Sequence, residues 1–154
     1  MALFISTFEN KVDRKGRVSV PAPFRAQLVG QSFPGVVAYR AFALSCVEGC
    51  DIERMNDYAT RIDQLAQGSQ EAQTLTALFA DAKQLIFDGE GRIVLPLPLI
   101  NHAGITEQAI FVGLGRTFQI WSPDRYAAHE SALRQRAERD GASIPPLHLL
   151  PAGR

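Results

Sequence analysis

One nine-residue pattern occurs twice in this chain, and it constrains the fold more than any other feature. Asp13-Arg14-Lys15-Gly16-Arg17-Val18-Ser19-Val20-Pro21 recurs as Asp88-Gly89-Glu90-Gly91-Arg92-Ile93-Val94-Leu95-Pro96. Asp, Gly, Arg and Pro keep identical offsets, and the first and third residues between Arg and Pro are aliphatic both times. The match continues from Pro21-Ala22-Pro23-Phe24 to Pro96-Leu97-Pro98-Leu99. A looser echo pairs residues 51–59 with residues 119–127. An internal repeat points to a duplicated architecture. The chain divides into halves at 4–68 and 70–140, followed by a tail at 141–154 that is expected to be mobile. Halves below about 70 residues build marginal cores alone. They are expected to pack together as one pseudo-symmetric domain.

Local patterning gives an α+β reading. Residues 4–12 and 17–20 read as strands joined by a turn over Asp13–Gly16, because Asp caps turns and Gly accepts positive φ. Pro21 ends strand pairing, since it has no N–H. Pro23 opens a short helix closed by Gly30. One or two strands fit Val36–Val47, and Cys50–Glu53 reads as another short strand. Met55, Tyr58, Ile62 and Leu65 recur at helical spacing up to Gly68, and Leu75, Leu78 and Phe79 mark the apolar side of a further helix. Residues 83–87 read as strand leading into Asp88-Gly89, a hairpin signal. The second half repeats the order: strand at 92–95, short helix at 98–103, strands at 109–114 and 117–121. A last helix is expected with Ser122 as cap, Pro123 as first residue and an end near Arg139.

Several functions are disfavoured by composition. The 154 residues carry 16 basic and 16 acidic side chains, a formal net charge of zero, so the chain is not generally polycationic. No signal peptide and no run long enough to span a bilayer is visible. The expected location is cytoplasmic, with no membrane partner. Cys46 and Cys50 do not make a zinc site and read as buried thiols, with a regulatory disulfide as the alternative. His102, His129 and His148 sit in unrelated contexts. Neither a nucleophile motif nor a phosphate-binding glycine loop that opens a helix is present. No enzyme, cofactor or small-molecule substrate is expected.

The two copies of the repeat differ in charge. Arg14, Lys15 and Arg17 face a single Asp13 in the first; Arg92 stands against Asp88 and Glu90 in the second. The shared Asp and Arg are read as a structural pair across each turn, with Gly16, Gly91, Pro21 and Pro96 as further turn requirements. The surplus cations of the first copy, with Arg25 beyond them, point to nucleic acid. A two-stranded ribbon enters the major groove, where Arg and Lys read guanine and neutralise phosphate.

These motifs, with the later Gly113-x-x-x-x-Phe118-x-Ile120-Trp121, resemble the MraZ family of bacterial regulators linked to the division and cell-wall gene cluster. The resemblance covers about residues 4–130. It implies a duplicated AbrB-like swapped-hairpin β-barrel, ring-shaped homo-oligomers, binding of short direct repeats in promoter DNA, and association with the nucleoid. By position the DNA-contacting turn falls on Arg14, Lys15 and Arg17. Glu90 stands where the first copy has Lys15, so DNA contact is not carried to the second turn. The alternative reading is a protein-interaction or assembly scaffold of the same fold.

Overall fold

The computed structural model describes residues 1–149. Its residues to Pro123 form one unit, and those from Asp124 onward form a second. The first unit runs β1 (Thr7–Lys11), β2 (Arg17–Ser19), α1 (Ala22–Leu28), β3 (Gly35–Arg40), β4 (Val47–Cys50), α2 (Ile52–Gln64), α3 (Gln70–Asp81), β5 (Lys83–Ile86), β6 (Arg92–Val94), α4 (Leu97–Ala103), β7 (Gln108–Gly113) and β8 (Phe118–Trp121). The second unit is built on α5 (Pro123–Asp140), with a 3-10 turn at Leu147–Leu149. The fold is α+β. The expected tail runs to 154, so its last residues lie outside the described ones.

Six strands form one antiparallel sheet in the order β1-β7-β8-β4-β3-β5, and β2 and β6 form a separate antiparallel ladder. The strand before each turn crosses to the other half of the chain: β1 pairs with β7, and β5 pairs with β3. The strand after each turn meets its own counterpart. In the β2–β6 ladder Val18 stands opposite Ile93, its equivalent in the repeat. An approximate twofold axis therefore passes between those two residues.

The ladder is short because its flanks forbid more. Pro21 and Pro96 have no N–H to extend it, and their carbonyls instead accept the first helical N–H groups. Phe24 and Arg25 donate to Pro21, Leu99 and Ile100 to Pro96. The short helices α1 and α4 then bury equivalent residues, Phe24 with Leu28 and Leu99 with Ala103. These four join Val18, Val20, Ile93, Leu95, Phe111, Phe118 and Ile120 in one core drawn from both halves. Phe4 packs edge-on against Phe24 and Phe118, with centroids 5.2 and 5.0 Å apart. Such pairs add about 0.5–1.5 kcal/mol beyond burial. On the opposite face of β3 and β4, a smaller cluster forms from Val37, Tyr39, Cys50, Met55 and Leu78.

Several local expectations are corrected. The first strand begins at Thr7, not Phe4, because Ser6 takes φ 81° and interrupts it; Phe4 makes only an isolated bridge to Gly115. Cys50–Glu53 is not a strand. Cys50 ends β4, and the Asp51 carboxylate accepts the Arg54 N–H at 2.9 Å, capping α2. The looser echo is therefore three residues out of register. Asp51 corresponds to Ser122, since each immediately precedes a helix that follows the second strand of a pair. In α3, Ala72 and Leu78 are buried while Phe79 is exposed.

Candidate nucleic-acid interface

Each repeated turn is organised by its aspartate. Asp13 Oδ1 accepts the N–H groups of Lys15 and Arg17, both at 2.9 Å, and Oδ2 accepts Arg17 Nε at 2.6 Å. Asp88 Oδ1 accepts the N–H groups of Glu90 and Arg92, both at 2.9 Å, and Oδ2 accepts Arg92 Nε at 2.8 Å. Backbone bonds close both turns: Gly16 donates to Asp13 and Gly91 to Asp88. Hydrogen bonds donated to a carboxylate favour its charged form. The Arg17 N–H draws the Asp13 carboxyl below its usual range, and the Arg92 N–H does the same to Asp88.

The glycines have a second task. Gly16 and Gly91 sit at φ 82° and 77°, where other side chains are strained. Each then accepts a hydrogen bond from the opposite half: Leu95 N–H donates to the Gly16 carbonyl at 2.8 Å, and Val20 N–H donates to Gly91 at 3.2 Å. The Asp, Gly, Arg and Pro of the repeat thus belong to one reciprocal device at each end of the β2–β6 ladder. The turns lie at opposite ends because the strands are antiparallel.

What stands on that device differs. Arg14 and Lys15 are exposed, and their side chains make no hydrogen bond or ion pair among the described residues. Arg17 is tied to Asp13 but stays 36% exposed. At the second turn the corresponding positions hold Gly89 and Glu90, and the Glu90 carboxylate approaches Arg92 to 3.6 Å. Arg25 is placed otherwise than its sequence position suggests. It is half-buried, its Nη1 donates to the Val20 carbonyl, and its stem lies over Gly91. Its bonding partner is Val20, five residues earlier, and it packs over the second turn of its own chain. Ile100, at the equivalent position of α4, lies over Gly16 in the same way.

One contributor was missed by sequence reasoning. Asn10 Nδ2 donates to the Ser19 carbonyl at 2.7 Å, tying the end of β1 to β2. Nothing in the residue's sequence context signals that contact. Elsewhere, Cys46 and Cys50 are free and fully buried, and burial pushes both thiols up to about 12. His102 Nε2 lies 3.0 Å from the Leu44 carbonyl. No group of His, Cys, Asp or Glu able to hold a metal is found among the described residues. None of the described helices is long and apolar enough to cross a membrane.

Comparison with known proteins identifies the lineage. Residues 78–142 match the family described as "MraZ protein, putative antitoxin-like". The chain is 42% identical over 149 residues to the transcriptional regulator MraZ of Rickettsia rickettsii, spanning 96% of this chain and 100% of that protein. The chain belongs to the MraZ family. The same name is carried by a Rickettsia akari protein 45% identical over 130 residues, covering 84% of this chain and 87% of the relative. A Gluconobacter oxydans relative is 41% identical over 157 residues, covering 99% and 96%. MraZ proteins are thus named as transcriptional regulators, and the family is not one of enzymes.

Proposed function

We propose that this chain is a transcriptional regulator that grips duplex DNA with the turn at residues 13–17. One observation carries the reading: two turns with the same backbone scaffold differ in the side chains they display, and only the first displays cations with no ion pair among the described residues. Arg14 and Lys15 would neutralise phosphates, and Arg17, oriented by Asp13, would reach a base edge. Arg25 supports the interface mainly by holding the second turn. A lone turn of this kind binds weakly. Several turns joined in a ring-shaped homo-oligomer would raise one another's effective concentration, which suits short direct repeats in promoter DNA and a subunit with no net charge. The division and cell-wall gene cluster is the proposed target and the nucleoid the proposed location. The crossing of β1 and β5 between halves supports reading the fold as a duplicated AbrB-like swapped hairpin.

The test is a titration of the chain's own upstream DNA at several salt concentrations. Specific binding is expected, with the slope of log K against log salt changing by about 0.9 for each phosphate that a variant leaves without its cation. The double variant Arg14→Ala, Lys15→Ala disturbs no side-chain bond among the described residues, so it should shed binding while light scattering reports an unchanged oligomer. Undiminished binding by that variant would remove the first turn from the interface.

A further inference from the structure

The ladder between the two turns has an outer face of its own. Side chains alternate across a strand. Val18 and Ile93 point into the core and are 0% and 1% exposed. Arg17, Ser19, Arg92 and Val94 therefore share the other side. The register sets Arg17 opposite Val94 and Ser19 opposite Arg92, so the two arginines sit on one diagonal and the two smaller residues on the other. Diagonal neighbours on a sheet face are about 7–8 Å apart. That is roughly two base-pair steps of about 3.4 Å.

Val94 is the unexpected member. It is 52% exposed, opposite Arg17 and two residues along β6 from Arg92. An aliphatic side chain there gains nothing from water and adds nothing to the core. Both arginines are aimed by equivalent aspartates and are similarly accessible, Arg17 at 36% and Arg92 at 30%. Each aspartate engages its arginine through Nε, which leaves the Nη groups of Arg17 to meet a base edge, while Arg92 Nη2 lies 3.6 Å from the Glu90 carboxylate, a contact that a base would displace.

We infer that this face is a base-reading surface built by both halves of the chain, in which Arg92 joins Arg17 and Val94 packs against the 5-methyl group of a thymine. This rests on the DNA-binding reading above and extends it into the second half, whose turn contributes no surplus cation. The chemistry is that of the major groove. Guanine offers two acceptors to an arginine, and thymine offers the one apolar group that a valine can cover. Ser19, on the same face, suits a phosphate or base edge.

The experiment compares the upstream duplex made with thymine against the same duplex made with deoxyuridine, which lacks only the methyl group. The wild-type chain is expected to bind the uracil duplex roughly fourfold more weakly for each methyl covered. Val94→Ala should bind both duplexes alike. Arg92→Lys, which keeps the charge but loses the planar fork, should weaken specific binding at least tenfold while thermal unfolding shows the protein still folded. Equal wild-type affinity for the two duplexes would overturn the thymine contact. So would a Val94→Ala protein that still discriminates, or one whose oligomer falls apart, which would assign Val94 to a contact between copies. Wild-type protein with no specific affinity for either duplex would instead sink the DNA reading on which the inference stands.

Discussion

At the scale of single residues, the repeated aspartates do the most with the least. Each holds two backbone N–H groups and one guanidinium, and each is titrated downward by that arrangement. A carboxyl whose folded pKa is depressed stabilises the fold above its unfolded pKa and loses that contribution as pH falls through the folded value. Stability is therefore expected to fall as pH drops through and below the usual carboxylate range, near 3.8. Asp13→Asn and Asp88→Asn should each be less stable at neutral pH and flatten the acid limb, as thermal melts between pH 2 and 7 would reveal. The two turn glycines separate a conformational cost from a steric one. Both sit at positive φ, a penalty of about 1–2 kcal/mol for alanine. A methyl at Gly16 would meet the Leu95 carbonyl oxygen at 2.8 Å, a backbone atom that cannot step aside. At Gly91 it would meet the Arg25 side chain at 2.7 Å, which can swing away. Gly16→Ala should be the more destabilising of the two in urea titrations, and equal losses would contradict this steric difference.

At the scale of elements, what the sequence makes legible is what local chemistry decides. The turns, the helices entered through proline, and the start of α5 at Pro123 can all be read from residue order. So can the Asp–Arg spacing of four. What stays hidden depends on partners far along the chain. No residue of β1 signals that it will pair with β7 rather than with β2, its neighbour in sequence. Arg25 looks like a surface cation, yet the Val20 carbonyl nearby and Gly91, far along the chain, turn it inward. Arg40 is a similar case: its N–H and guanidinium clamp the Asp81 carboxylate at 2.7–3.0 Å, joining the end of β3 to the end of α3 across a long separation in sequence. The misplacement of Asp51 has a different cause. Its residue type is read correctly as polar, but the echo with the second half aligns side chains by chemistry where the fold aligns them by position before a helix. Asp51→Ala, which removes the α2 cap, is predicted to cost about 1 kcal/mol in urea titrations.

At the scale of the whole molecule, the halves are not separable pieces. β1 and β5 pair only across the division, and the Phe4, Phe24 and Phe118 cluster draws on both sides of it. Phe24→Ala should cost about 3–5 kcal/mol. A fragment of residues 1–68 mixed with one of residues 69–149 should gain β-sheet circular dichroism and regain cooperative melting that the second fragment alone lacks. Fragments that each melt cooperatively by themselves would refute this interdependence.

The axis through Val18 and Ile93 has a consequence for orientation. A reader with perfect twofold symmetry fits a palindrome, and turning its target end for end leaves it unable to notice. Here the axis survives in the backbone, the aspartates, the glycines and the arginines, but is broken where Arg14 and Lys15 face Gly89 and Glu90. The chain consequently has a front and a back. A surface of that kind carries polarity, and in the proposed assembly on DNA, copies of it laid side by side would all point the same way along the double helix.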